Sequence, residues 1–503
     1  MLLIFDKLNN SWKHEPMDHR RRTSQKLAVG VVYVAALFMA IMDTTIVNVA
    51  LPVLGRDFHT PPDGVDSIAI AFLVSTGVFI SASGWLGDRF GGRRVLLFSI
   101  VVFTAASALC GMSSSLTELV VFRVVQGIGG GLMTPVGMAM LFRVFPPSER
   151  VRASSILMIP TAFAPALGPV LGGLLVTDLS WRWVFYVNVP IGAAALVFGM
   201  LFLDEHKQSS PGSFDLGGFL LAASGLGLVM YGVSEGPLDG WSNPTVLLTL
   251  FVGLALLVAM VMIELRRAEP LVDLRIYKDG LFRSSSVVMI LGAVAFLGVL
   301  FLLALFYQDG LHLSALQSGL STFPEALGVM AGAQIVSRRL YPVFGPRRIM
   351  ACGLTIVACA MASMTAIGAG TSLWWARALV FVMGLGMSCV FIPAQAASFA
   401  TITPARTARA STLFNTARQL GGAIGVALLT TVVAAVGPTK VVAARVVADL
   451  AAYHAAFVAA AVVALLGVVA ALGVSDRDAA ETMVRLERPT RPAPEGAVAV
   501  EAT

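Results

Sequence analysis

Asp43 has the most chemistry to offer, because it interrupts a long apolar run in Met42-Asp43-Thr44-Thr45-Ile46-Val47-Asn48-Val49-Ala50-Leu51-Pro52. A carboxylate in hydrocarbon is expensive and needs water or a partner, so by default it marks an ion, proton or ligand site. Arg123 interrupts a second run. At 1.5 Å per residue from the outer end of each run, Asp43 lies about 13 Å deep and Arg123 about 10 Å deep, so the two could meet. Pairing would offset part of the cost of both charges, and protonating Asp43 would release the arginine. That exchange could couple a proton to movement, although a static structural pair would use the same residues. Glu325, in Phe323-Pro324-Glu325-Ala326, sits about 16 Å below the outer surface. There it could bind a cationic substrate, carry a second proton or face a local hydrogen-bond partner. Arg418 lies about 12 Å from the inner surface, where snorkelling, a helix-end contact and substrate binding all remain open. Arg377 is expected at the outer interface.

Two further segments concern movement rather than binding. In Gly84-Trp85-Leu86-Gly87-Asp88-Arg89-Phe90-Gly91-Gly92-Arg93-Arg94, Gly84 and Gly87 permit close helix approach. Asp88 can pair with the arginines, Arg93 and Arg94 among them, to latch two bundles in one state. A basic turn needed only for topology is the plainer reading. In Pro160-Thr161-Ala162-Phe163-Ala164-Pro165-Ala166-Leu167-Gly168-Pro169-Val170-Leu171-Gly172-Gly173, Gly168 and Gly172 form one small face for a neighbouring helix. Pro165 and Pro169 remove backbone donors and bend or loosen the helix.

The elements that hold these residues are membrane helices. Of 503 residues, 57% are hydrophobic and 13% charged, against about 25% charged in a soluble domain. Apolar runs of about 20 residues, each long enough to cross roughly 30 Å of hydrocarbon, recur from residue 28 to residue 474. Their continuity excludes the alternating pattern of a barrel, which leaves helices. We read fourteen spans. Residues 1–27 form an N-terminal tail, 28–203 a six-helix bundle, 216–264 two inserted helices and 265–283 an amphipathic link on the membrane surface. Residues 284–474 form a second six-helix bundle and 475–503 a disordered tail.

With the N-terminus inside, the inner segments hold 28 of the 35 Lys and Arg residues, so both termini are expected in the cytoplasm. The net charge of +6 is this bias, not a nucleic-acid surface. Residues 1–26 are polar and basic, so a cleaved leader is not expected. Trp181, Trp183, Trp241, Trp374 and Trp375 fall at outer interfaces, where amphipathic rings prefer to sit. Cys110, Cys352, Cys359 and Cys389 lack metal or redox spacing and read as packing residues.

The chain also repeats. Phe90-Gly91-Gly92-Arg93-Arg94 returns as Phe344-Gly345-Pro346-Arg347-Arg348, and Arg123 returns as Arg377 at the same displacement. Internal repeats of this kind are common in secondary transporters, with the substrate site near the midplane between halves.

Together these segments resemble the major facilitator superfamily, specifically its fourteen-helix drug:proton antiporter branch. The pattern from Asp43 through Asn48 to Pro52 looks like that branch's first-span signature, and residues 84–94 look like the loop 2–3 motif. Arg123 with Gln126 and Gly127 resembles the fourth-span motif associated with proton transfer. Gly168-Pro169-x-x-Gly172-Gly173 resembles the exporters' antiporter motif, with Ala164 in place of its usual first glycine. Residues 181–190 and 415–422 are also similar to segments of the branch.

The resemblance implies proton-coupled efflux of hydrophobic, cationic drugs or toxins across the inner membrane by alternating access. In that scheme Asp43 and Arg123 couple the proton. Glu325, Asn48 and Gln126 meet the substrate. Gly84, Asp88, Arg93, Arg94, Gly168, Pro169, Gly172 and Gly173 govern the switch. An exporter of one secondary metabolite is the alternative, and an uptake symporter fits less well. Catalytic or metal constellations and pore-lining rings are missing from the sequence, so an enzyme or passive channel is not expected. Nor is a cofactor, a nucleic-acid partner or an obligate protein partner. The expected partners are a small-molecule substrate, protons and lipid.

Overall fold

The computed structural model describes residues 17–60, 65–205, 214–267, 270–368, 370–442 and 445–483. Helices dominate them, as the apolar runs require. The first six are α1 (Met17–Asp57), α2 (Ser67–Phe90), α3 (Gly92–Met112), α4 (Leu116–Val144), α5 (Arg150–Asp178) and α6 (Asn188–Phe202), the last preceded by a helical turn at Trp183–Tyr186. Next come α7 (Leu216–Asp239) and α8 (Pro244–Glu264). The rest are α9 (Gly280–Leu305), α10 (Ala315–Ile335), α11 (Tyr341–Met364), α12 (Leu373–Ser398), α13 (Thr407–Val436) and α14 (Leu450–Leu472). Between α13 and α14, β1 (Thr439–Val442) and β2 (Arg445–Ala448) pair as a short antiparallel hairpin.

Local chemistry sets the ends. Ser115, Asp215, Asn243, Asp279, Ser372 and Asp449 each accept a backbone N–H at the helix they open, and Ser314 with Gln317 makes a capping box.

Among the described residues, twelve stretches are long and apolar enough to cross a bilayer, against the fourteen expected. The difference has two sources. One stretch, Leu316–Met364, runs 49 residues and contains both α10 and α11. The 29-residue α5 is not among the twelve.

Packing repeats along the chain. In the first half α2 packs on α4, α3 on α4, α1 on α5, α3 on α6 and α1 on α6; in the second, α10 packs on α12, α11 on α12, α9 on α13, α11 on α14 and α9 on α14. The repeated turn is built alike in both copies. Gly91 (φ 96°), between α2 and α3, and Gly345 (φ 74°), at a kink near the start of α11, take backbone angles that side chains rarely adopt and break the helical path there. In each copy a carboxylate from beyond the half's last helix caps the helix that follows. Glu205 accepts the N–H groups of Arg93 and Arg94 (both 3.2 Å), and Asp476 accepts that of Arg347 (2.8 Å).

The halves meet through α5 on α10 and α2 on α13, with α4 touching α13 and α5 touching α12. α7 packs on α8 and rests on both α2 and α13, so the inserted pair lies along one seam.

Three expectations are corrected. Trp181 is buried, its Nε1 donating to Asp57 (2.7 Å) beside Phe58 and Phe185. It is a packing residue, unlike the exposed Trp374 and Trp375. In the 265–283 link, Leu271 and Ile276 turn into the protein core instead of lying on a membrane. The tail expected to be disordered from 475 is ordered to Met483, with Thr482 bonded to the Tyr341 hydroxyl (2.7 Å); residues 484–503 lie outside the described ones.

Candidate functional site

Asp43 and Arg123 do meet. The guanidinium Nη1 of Arg123 donates to Asp43 Oδ2 and to Gln126 Oε1 (2.8 Å). Gln126 Nε2 donates to Asp43 Oδ1 (2.8 Å), and so does Asn188 Nδ2 (3.0 Å). Asn188 Nδ2 also reaches Ser107 Oγ (3.1 Å), which donates to the Phe185 carbonyl (2.9 Å). Arg123 Nε is held by the Ile68 carbonyl (3.2 Å), and the guanidinium lies 4.2 Å over the Phe72 ring. Asp43, Arg123, Gln126 and Asn188 are at most 1% exposed.

All these residues come from α1, α2, α3, α4, α6 and the turn before it, so the site belongs wholly to the first half. A buried ion pair is tolerable only when its remaining donors and acceptors are satisfied. Here the carboxylate accepts from three donors, and the guanidinium keeps two neutral partners that would remain if the carboxylate were protonated. Gln126, expected at the substrate, is a member of this network in the structure. Asn188 carried no role in the sequence reading. A neutral amide in an apolar stretch gives no charge penalty to flag it.

The two glycines of α5 pack on α1 just beyond Asp43. A Cβ on Gly168 would sit 2.0 Å from Thr45 Oγ1, and one on Gly172 would sit 3.1 Å from Ile46 Cγ1. The same addition at Gly173 meets nothing within 4 Å. The side chain of Pro169 lies outside the described ones.

Gly84 performs the other close approach. A Cβ there would meet Thr412 Oγ1 at 2.7 Å, so this glycine lets α2 touch α13 across the seam. Asp88 is paired differently from expectation. Its partner is Arg143 of α4 (2.6 Å), because the inner end of α4 returns beside α2. Arg93 donates instead to the Met200 carbonyl (2.6 Å), and Arg94 pairs loosely with Glu205 (3.6 Å). That ion pair joins helices of one half and does not bridge the two.

Contacts between halves collect toward one face, the one that carries both described chain ends. Ser83 and Thr412 share a hydrogen bond (3.0 Å), Ser411 donates to the Pro135 carbonyl (2.7 Å), and Arg150 donates to the Phe399 carbonyl. Phe142 stacks on Phe399 at 4.6 Å. Just inside this seal lies a cavity of about 40 Å³ lined by α1, α4, α9, α12 and α13, including Tyr33, Gln395, Asn415 and Arg418. The Tyr33 hydroxyl, Gln395 Oε1 and Asn415 Oδ1 have no hydrogen-bond partner among the described residues. A water needs roughly 10–15 Å³ of such space, so the cavity has room for a few waters beside these polar atoms.

Tyr33, Leu37, Thr44 and Asn48 follow one stripe of α1 at helical spacing. Tyr33 and Leu37 line the cavity, while Thr44 and Asn48 are exposed. Asn48 is therefore off the Asp43 network and further along the face that meets the second half.

Glu325 is fully buried on α10, and neither carboxylate oxygen has a hydrogen-bond partner among the described residues. Two residues earlier, Phe323 meets Phe163 of α5 (6.1 Å), but a step of two residues turns the helix by about 200°, and Glu325 lies instead on the side of α10 that packs against Gly384 of α12. Arg377 lies 4.9 Å over the Trp374 ring. Among the described residues, no group of His, Cys, Asp and Glu is arranged to hold a metal.

Comparison with known proteins agrees with this architecture. The family described as Major Facilitator Superfamily matches residues 33–426. Over 429 residues the chain is 34% identical to the Multidrug resistance protein B homolog of Mycobacterium tuberculosis (strain ATCC 25618 / H37Rv), covering 82% of this chain and 78% of that one. It is 32% identical to the Tetracenomycin C resistance and export protein of Streptomyces glaucescens, covering 80% and 74%. Among solved structures, the human organic anion transporter MFSD10 aligns with a TM-score of 0.61 at 17% identity, over 91% of this chain and all of that one; this likeness concerns the fold alone. The chain belongs to the major facilitator superfamily and is a multi-pass membrane transporter.

Proposed function

We propose that this member of the major facilitator superfamily exports hydrophobic, cationic compounds across the cytoplasmic membrane in exchange for protons. The observation that carries this reading is the buried Asp43–Arg123 pair with its two amide partners. A proton arriving on Asp43 removes the charge that holds Arg123, while Gln126 and the Ile68 carbonyl still receive the guanidinium. The pair can thus open without stranding a buried cation. Gln126 and Asn188 act as positioning residues for the carboxylate.

The helices α1–α14 make fourteen crossings, with both termini in the cytoplasm and residues 28–203 and 284–474 as the two moving bundles. The sealed face is then cytoplasmic, and the structure represents an outward-facing state. Asn48 faces the cleft where a substrate passes, and Glu325, a buried carboxylate on α10 with no hydrogen-bond partner among the described residues, favours a cationic one. The relative named for multidrug resistance supports a broad range. The relative named for tetracenomycin C export supports the alternative of a single secondary metabolite.

The test is ethidium efflux from energised cells carrying the wild-type chain, no chain, or the Asp43→Asn variant, with and without an uncoupler. Uncoupler-sensitive efflux that disappears in Asp43→Asn is the expected result. Undiminished efflux by that variant refutes the coupling role, and no efflux by a folded wild-type chain favours the narrow exporter.

A further inference from the structure

The chain does not leave the protein where α14 ends. Beyond Leu472 it turns back along the sealed face, and Val474, Ala479 and Thr482 are each buried to within 2%. Asp476 accepts the N–H of Arg347 (2.8 Å), and Thr482 shares a hydrogen bond with the Tyr341 hydroxyl (2.7 Å). Both partners belong to α11, so this segment is fastened to the second half. Its last described turn, Ala480–Thr482, also packs against the turn at Pro147–Glu149, which joins α4 to α5 in the first half. One turn therefore touches both halves at once.

The first-half side of this contact is itself held in place. Glu149 pairs with Lys26 of α1 (2.7 Å), which fixes its turn against its own bundle. Arg150, the next residue, donates to the Phe399 carbonyl at the end of α12. The acid whose charge bears on Arg150 is Glu481 of the tail. A first-half cation is thus approached by two groups of the second half, and one of them rides on the tail.

We propose that residues 475–483 are a strap that locks this face shut, and that the strap must leave the Pro147–Glu149 turn before the halves part here. Its two attachments differ in strength. On the second half it has two hydrogen bonds and a buried Ala479, so it stays. On the first half it has packing and an exposed acid opposite Arg150, and a pair of that kind is weak. Such a catch biases the balance between closed and open states without freezing it. Opening at this face rests on the alternating-access reading above; the position of the strap does not.

Cysteine labelling tests the strap without any substrate. Thr134, which lines the small cavity just inside the seal, is replaced by cysteine in a chain whose native cysteines are serine. A bulky, membrane-impermeant maleimide is supplied to sealed vesicles in which the chain ends face the reagent. The chain ending at Met483 should label as slowly as the full chain, and the chain ending at Ser475 about tenfold faster. Glu481→Arg keeps both anchors and sets a second cation beside Arg150; it should label about threefold faster, and it decides the matter if the short chain fails to fold. Unchanged labelling in Glu481→Arg, or in a folded chain ending at Ser475, would overturn the proposal. So would equal acceleration in the chain ending at Met483. Because labelling reads opening alone, its outcome is separate from ethidium efflux and from the proton role of Asp43.

Discussion

The Asp43–Arg123 pair makes a quantitative claim that a double-mutant cycle can test. In Asp43→Asn, the new side chain offers one acceptor and one donor where the carboxylate offered two acceptors. If its carbonyl faces Arg123, its amide confronts the amides of Gln126 and Asn188; if reversed, it confronts the guanidinium. Either way a buried donor loses its acceptor, worth about 1–3 kcal/mol, and Arg123 loses its counter-charge. Together these reach about 3–5 kcal/mol, the usual cost of breaking a buried pair from one side. Arg123→Gln strands the carboxylate at a similar cost. The double variant removes both charges, so its destabilisation should fall below the sum of the singles by roughly 2–3 kcal/mol. Thermal melting of the purified chains reads this, at roughly 2–4 °C per kcal/mol if each half melts as a unit. Efflux should be lost in all three variants, because rescued stability does not restore a proton carrier. Additivity within about 0.5 kcal/mol would refute the energetic coupling, and efflux restored in the double variant would refute the proton role.

Three further outcomes follow from the same geometry. Ser83→Cys/Thr412→Cys, in a chain whose native cysteines are replaced by serine, should cross-link on oxidation, since the two hydroxyls are 3.0 Å apart; efflux should stop and return with reductant. A cross-linked chain that still transports would show that this seal need not open. Gly168→Val should lower efflux by at least about tenfold, because its first carbon overlaps Thr45, while Gly173→Ala, facing open space, should be silent; equal effects would separate packing from transport. Glu325→Gln should weaken efflux of cations while sparing neutral substrates and melting temperature, since no described hydrogen bond is lost, and equal loss for both classes would remove Glu325 from recognition.

What the sequence made legible was charge in the wrong place. Asp43 and Arg123 were readable because each interrupts an apolar run and rise-per-residue arithmetic puts them at similar depth. The repeat was readable for a related reason: two turns need the same glycine geometry, and Gly91 and Gly345 both supply it. Neutral polar residues gave no such signal. Asn188, Ser107 and Asn415 look like ordinary helix residues until the fold brings three or four helices together. The partner of Asp88 was misjudged because Arg93 and Arg94 are near in sequence, whereas Arg143 arrives through the length of α4. Composition misled at the tail as well, where Asp476 caps the part of α11 that follows the Gly345 kink inside a stretch that reads as solvent-loving.

A proton on Asp43 can do work only if α1 passes its displacement to something with two arrangements. The packing offers one route. Thr45 and Ile46, the residues just beyond Asp43, lie in the grooves left by Gly168 and Gly172, so α1 and α5 are geared at mid-height. α5 in turn packs on α10, the helix that carries Glu325. Close-packed helices with no side chain to give way between them shift together rather than deform. Meanwhile the bonds that fasten the halves, Ser83 to Thr412 and Ser411 to Pro135, lie at one face and so define an edge about which the halves can rock. On this reading the small residues of α5 are the transmission between the proton site and the seam, and filling Gly168 should disconnect the two without disturbing the Asp43–Arg123 pair itself.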